Sequence, residues 1–438
     1  MTDPSPTPQA FDVRKGDQSM ITGWVGAILA VVGPLVISQF TNPLSRALHN
    51  VVHFWWLVGL MVGLAVLDHV LHRRQHGLGP AVTPLPWPRL LRAALVRWVS
   101  WLGILLLAWT GYHALNEYSH RFYKTFRTVL LYVIQGWLVL GLPYLLISLR
   151  RRHGLRWDFH DPSVLMALLA RRLFRAIDRG TSPLAALSLA WRSSRARLVL
   201  GGVVVKAFFL PLMFTYFLGN TRDMLRHWRT LMLRLAAEDA WGVALYDTAE
   251  ALYNFSFNTL FAIDVTLTVI GYALTVRWLN NGIKSVERTA LGWAICLACY
   301  KPLNTVTGWY FLWPDDKLAK LADGPLKLAV MAAVIALLLV YVWATMSFGL
   351  RFSNLTNRGV FTQGPYRFLR HPAYVSKNLA WWAQYIPSFT DPVTALYMLC
   401  WNGIYLVRAL TEERHLKLDP KYRAYCEYVK WRFIPGLF

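Results

Sequence analysis

The chain has 438 residues, 55% of them hydrophobic and 16% charged, and a mean hydropathy of +0.34. A bilayer-spanning helix uses roughly 20 mainly apolar residues, so about ten spans absorb that apolar excess and set aside a soluble two-domain enzyme. Lys and Arg total 46 against 23 Asp and Glu, a formal charge of +23; in a soluble chain this suggests nucleic acid, in a membrane chain basic cytoplasmic loops facing anionic lipid.

Residues 1–19, MTDPSPTPQAFDVRKGDQS, are polar and Pro-containing and lack the charged start and short apolar core of a signal peptide. They read as a disordered cytoplasmic tail. Apolar runs long enough to cross the bilayer follow at about 20–40, 51–71, 98–115, 128–149, 198–218, 255–277, 289–312 and 326–350, with two shorter ones at about 374–388 and 392–410. The turn from Pro387 to Pro392, PSFTDP, makes the last two a tight helical hairpin. The expected fold is therefore an all-α polytopic membrane protein of about ten spans. Residues 20–320 form an N-terminal transmembrane region and 321–438 a C-terminal membrane domain.

Counting Lys and Arg gives the orientation. Loops assigned inside hold about 5 (72–97), about 11 (150–197) and about 3 (277–288), ahead of a strongly basic C-terminal third; those assigned outside hold about 1, 3, 4 and 2. Both termini are expected in the cytoplasm. Within 150–197, Asp161, Pro162 and Ser163 supply a helix start and Gly180 a stop, and Arg171, Arg172, Arg175 and Arg179 mark a basic face. An interfacial amphipathic helix pair is expected, anchoring the loop to lipid.

Polar residues inside the spans are few. Lys206 and Asp264 lie well inside apolar runs, where a lone charge is costly, and on consecutive antiparallel helices they can pair. His49, His53, Asp68, His69, His72 and His76 show spacings of three and four that align side chains on one helix face. They fall short of the ligand set of a membrane di-metal site, and no metal is expected. Of the four cysteines, Cys296 and Cys299 have C-x-x-C spacing with no second Cys or His pair near, which reads as helix packing.

The informative stretch begins as the eighth run ends. Gly359, Gly364 and Pro365 make a turn-rich loop whose backbone can approach a ligand closely. Pro372 can open the ninth helix, leaving N–H groups there to face an anionic group. Arg408 and Glu412, four residues apart, share a helix face, and a cation beside an anion suits a zwitterion.

These residues resemble the isoprenylcysteine carboxyl methyltransferases and the related membrane phospholipid methyltransferases. The likeness rests on G-P-Y-x-x-x-R-H-P-x-Y at Gly364 to Tyr374, an apolar hairpin, R-x-x-x-E-E-x-x-L at Arg408 to Leu416, and Y-x-x-Y at Tyr422 and Tyr425, over roughly the last 90 residues. The resemblance implies an S-adenosylmethionine site at the cytoplasmic surface, closed by the loop and the tail. It makes Arg351, Arg358, Gly359, Val360, Phe361, Tyr366, His371, Pro372, Ala373, Tyr374 and Glu412 cofactor contacts, with Glu412 meeting the amino group of the methionine portion. It makes Arg408 the catalytic, substrate-contacting arginine. Lys377-Asn378 departs from many relatives, which carry Gly near this Tyr, and Arg358 stands where the family often has another residue.

The expected function is methyl transfer to a lipid-embedded carboxylate, phosphate or amine acceptor, with membrane lipids as partners and no nucleic acid. Arg-rich, Lys-poor usage and short loops suit a bacterial inner membrane. Two rivals stand beside it. The membrane sterol reductases also carry an R-H-P-x-Y-like stretch and bind NADPH, and a transporter or scaffold could retain a methyltransferase-like end without activity.

Overall fold

The computed structural model describes residues 19–41, 46–72, 86–151, 161–182, 188, 193–237, 241–242, 244–276, 279, 281–313, 318, 321–388 and 391–437. Almost all of the expected N-terminal tail, the middle of the basic loop at 72–97, much of 150–197 and His76 fall outside them. The helices are α1 (Met20–Thr41), α2 (Arg46–His72), α3 (Trp87–Ala114), the one-turn α4 (Asn116–Ser119), α5 (Lys124–Arg151), α6 (Pro162–Asp178) and α7 (Ser194–Leu235). They continue with α8 (Leu245–Ala273), α9 (Ala290–Leu297), α10 (Leu303–Tyr310), α11 (Pro325–Phe348), α12 (Pro372–Gln384), α13 (Pro392–Leu416) and α14 (Pro420–Tyr428).

Among the described residues eight helices, α1, α2, α3, α5, α7, α8, α11 and α13, are long and apolar enough to cross a membrane. The all-α polytopic architecture is as expected, and two of the ten apolar runs take another form. The run at 289–312 divides into α9 and α10, eight residues each. Pro302, which has no N–H to give, stands at the N-cap of α10. The run at 374–388 becomes α12, whose 13 residues reach only about 20 Å at 1.5 Å per residue, short of a hydrocarbon core of about 30 Å.

The chain folds as two compact units, one of residues 1–68, 217–282 and 287–438, the other of 69–216 and 283–286. In the second unit α3 packs on α5 through Leu90, Ala94, Leu145 and Leu149. The partly buried Trp98 and Trp137 indoles each donate to the other's backbone carbonyl, at 3.0 and 3.1 Å, so both N–H groups are satisfied. The start of α6 is as the sequence marks it: Asp161 accepts from the Ser163 amide at 2.9 Å, and Gly180 follows the helix with a φ of +64°. Phe174 and Ile177 are exposed on the same helix as its arginines, as an interfacial helix requires. Lys206 also belongs to this unit.

The first unit is built on α1, α8, α11 and α12, whose core includes Ala27, Ala30, Leu260, Leu267, Val334, Leu338 and Ala380. Small residues on α1 allow close helix approach: a Cβ at Gly23 would lie 1.9 Å from the Met346 carbonyl oxygen. Asp264, in the C-terminal half of α8, accepts hydrogen bonds from Tyr341 (2.9 Å) and Thr345 (2.8 Å) on α11. Asp68 accepts from Thr22 at 2.9 Å and lies 3.6 Å from Arg351. His49 and His53 stack with ring centroids 4.2 Å apart.

Candidate active site

The loop between α11 and α12 is held in place by its own polar groups. The Asn354 amide donates to the Tyr272 hydroxyl (2.8 Å), and its side chain donates from Nδ2 to Tyr300 (3.1 Å). Asn357 accepts from the Gly359 amide (2.9 Å) and donates to Asp419, the N-cap of α14 (2.9 Å). Between them Leu355 has a φ of +60°, a left-handed backbone that a branched side chain rarely adopts, and its carbonyl accepts from the Glu287 amide at 2.8 Å. The strain fixes the course of the chain where Asn354 must reach inward.

Gly364 has a φ of +60°, and a Cβ there would meet Ser347 Oγ at 2.6 Å and Trp343 Nε1 at 3.0 Å. Only glycine fits both the backbone and the space. Gly364→Ala is expected to lower stability by about 1–3 kcal/mol, from the left-handed penalty and the displaced neighbours. Thermal unfolding in detergent checks this, and an unchanged midpoint would contradict it.

Loop, helices and tail enclose a cavity with about 1090 Å³ of empty space, including the part continuous with solvent. Arg351, Arg358, Gly359, Val360, Phe361, Tyr366, His371, Ala373, Tyr374, Arg408 and Glu412 all line it. Pro372 does not; it occupies the first turn of α12, as its missing N–H favours.

The arginines in this group differ in what their heads hold. Arg358 is buried, and its guanidinium donates to Gly271 O (2.5 Å), Leu274 O (3.2 Å) and Thr275 Oγ1 (2.5 Å) at the end of α8. It satisfies carbonyls that the helix leaves open, and burial pushes its pKa down to about 10. Arg351 donates to Leu279 O at 2.9 Å and faces Asp68. Both line the cavity, yet their heads secure the scaffold. Arg408 instead donates to Asn354 Oδ1 (2.8 Å) and Tyr300 Oη (3.2 Å), and its guanidinium carbon lies 5.2, 5.4 and 5.7 Å from the ring centroids of Tyr300, Tyr374 and Tyr405. Among the described residues no carboxylate pairs with it.

The adjacent glutamates have separate tasks. Glu412 is exposed toward the cavity and accepts a hydrogen bond from Tyr374 Oη at 2.6 Å, with no cation of the described chain within ion-pairing distance. Glu413 is buried and pairs with Arg370, with Lys417 Nζ (2.8 Å), with Arg432 Nε (3.0 Å) and with His371 Nε2 (3.5 Å). Arg414 goes to Glu287 at 3.3 Å. Glu287 is lifted by burial, but the Thr289 hydroxyl and amide, with His415 and Arg414, hold its carboxyl below the usual range.

The tail crosses beside this cluster. The Arg370 and His371 amides donate to the carbonyls of Trp431 (3.0 Å) and Arg432 (3.1 Å). Phe433 stacks on the His371 ring, centroids 5.3 Å apart. Tyr425 Oη donates to the Tyr366 carbonyl at 2.7 Å, within a cluster that includes Val360 and Tyr422. Burial pushes the Tyr366 and Tyr422 phenols far above the usual tyrosine range, so both stay protonated.

The isoprenylcysteine carboxyl methyltransferase family model matches residues 326–418. The match, over about a fifth of the chain, supports a membrane methyltransferase at family level. The match spans α11, the loop, α12 and α13, and takes in every lining residue of the cavity except Tyr300, Tyr422 and Tyr425. No curated protein and no solved structure matches the chain.

Three contributors were not singled out from sequence as site residues. Tyr300 lies in an apolar run, and nothing local marks it as the partner of Arg408. Asn354 is one of several polar residues in SNLTN. Glu413 looks like one of two equivalent acids until the fold points them in different directions.

Proposed function

We propose that the protein is an S-adenosylmethionine-dependent methyltransferase acting on a membrane lipid or lipidated acceptor. The observation that carries this reading is the Glu412 carboxylate, which opens into the cavity of the matched segment without a cation of its own. A group with an ammonium fits there, among the aromatic and polar side chains that line the cavity. Glu412 would hold the amino group, the amides opening α12 the carboxylate, and Tyr366, His371, Ala373, Tyr374 and Gly359 to Phe361 the remainder.

When bound, this cofactor supplies a methyl group activated by its sulfonium. The chain's own work is positioning and exclusion of water. Arg408, caged by three tyrosines and lacking a carboxylate, orients the acceptor. Tyrosine faces favour a positively charged centre near them. Arg370 and His371 line one wall, and the tail from Lys430 to Phe433 packs behind them. The Lys and Arg distribution supports a cofactor mouth on the cytoplasmic side of a bacterial inner membrane, with both termini cytoplasmic.

Thermal unfolding with added ligand tests the proposal. S-adenosylhomocysteine at about 100 times its dissociation constant is expected to add about 2.7 kcal/mol of stability, and NADPH none. Protection by NADPH alone would favour a reductase, and protection by neither would leave a non-catalytic role.

A further inference from the structure

Lys377 stands on α12 one turn beyond Tyr374 and lines the same cavity. Its Nζ lies 5.0, 5.5 and 5.9 Å from the ring centroids of Tyr341, Trp381 and Phe261. An ammonium has three donors and no acceptor, and among the described residues this one makes neither a hydrogen bond nor an ion pair. The carboxylate acting on it electrostatically is Asp264, whose two oxygens already accept from Tyr341 and Thr345. Three ring faces therefore hold Lys377 in place without satisfying it.

Arg408 repeats the pattern at the neighbouring position. Its guanidinium lies over Tyr405, and the Tyr405 ring meets Trp381 edge-on at 5.0 Å. Two cations, neither paired with a carboxylate among the described residues, thus flank one aromatic row on one cavity. Among the described residues the single acidic one lining that cavity is Glu412. The cage that would accept an ammonium head group from a lipid is filled by the chain's own lysine.

Resting on the methyltransferase reading above, we propose that Lys377 sets acceptor specificity: an anionic oxygen head group, carboxylate or phosphate, is held between Arg408 and Lys377, and an amine head group is rejected. The chemistry agrees with that choice. As the O–CH3 bond forms and the S–CH3 bond breaks, the bonding pair stays on sulfur, the acceptor oxygen loses its charge, and no proton has to leave. An amine acceptor would have to shed a proton, at a wall that already carries Arg408 and the Lys377 amine.

The test uses the full chain in phosphatidylcholine nanodiscs, loaded with S-adenosylhomocysteine and titrated with oleate, oleyl phosphate and oleylamine. The native protein is expected to bind one or both anions about tenfold or more tightly than the amine, and the better anion identifies the head group. Lys377→Met is expected to lose about tenfold or more in affinity for that anion, the range of one charge-assisted contact. Lys377→Arg should stay within about threefold of native, and the affinity for S-adenosylhomocysteine should be the same in all three proteins. Equal binding of oleate, oleyl phosphate and oleylamine by the native protein overturns the inference whether or not either variant folds. So does undiminished anion affinity in Lys377→Met, or a loss in Lys377→Arg as large as that in Lys377→Met. Failure of S-adenosylhomocysteine to bind the native protein is a separate result, which overturns the methyltransferase reading.

Discussion

Glu413→Ala is expected to cost about 3–5 kcal/mol of stability, the usual consequence of removing one partner from a buried ionic cluster. The Glu413 side chain is only 3% exposed, and it faces Arg370, His371, Lys417 and Arg432. Those four come from the loop before α12, from the end of α13 and from the tail, so one carboxylate joins three segments distant in sequence. Deleting it leaves Arg370, itself 9% exposed, with no counter-charge at that position, and a buried unpaired cation is costly. Arg432 and Lys417 are more exposed and lose less, because water can replace the carboxylate there. Denaturation in detergent provides the measurement. A change below about 1 kcal/mol would show that the backbone bonds to Trp431 and Arg432 hold the tail without the ionic cluster.

The neighbouring residue should give the opposite pattern. Glu412→Gln keeps the size of the side chain and an oxygen for the Tyr374 hydroxyl, so the fold is expected to lose less than about 1 kcal/mol. Affinity for S-adenosylhomocysteine is expected to fall by about 10- to 100-fold, because an ammonium then meets a neutral amide in place of a carboxylate. Calorimetric titration reads this directly. In the companion variant Arg408→Lys, cofactor affinity should persist while methyl transfer falls by about 100-fold, since a point charge on a flexible stem cannot present a planar fork. Unchanged cofactor affinity in Glu412→Gln would remove the observation on which the functional proposal stands.

The sequence made the spans legible because apolar length is a one-dimensional property: α1, α2, α3, α5, α7, α8 and α11 fall on runs that were long enough, and α13 extends one of the two shorter runs. It overestimated α12, since composition does not show that thirteen residues end in a turn at Tyr385. In the candidate site, the spacing of Arg408 and Glu412 placed both on the cavity. What it could not show was how each charge is used. Arg358 and Arg408 are both buried arginines, but the end of α8 happens to lie beside the first, whereas tyrosines and an asparagine surround the second. Glu412 and Glu413 differ by one step of about 100° around α13, and that rotation separates an open carboxylate from one enclosed by four basic side chains. Lys377 read as a departure beside the motif; its aromatic cage comes from α8, α11 and α12 together and has no local signature.

Tyr374 touches both halves of the cavity at once: its hydroxyl donates to Glu412 and its ring faces the Arg408 guanidinium. An ammonium arriving at Glu412 competes for the oxygen that this phenol uses, and an anion arriving at Arg408 weakens the attraction that holds the ring in place. On the proposed function the two ligands would act on a shared side chain, and thermodynamic reciprocity then requires that whatever factor the first imposes on the second is returned unchanged. A dissociation constant for either ligand, taken alone, describes only half of a cycle.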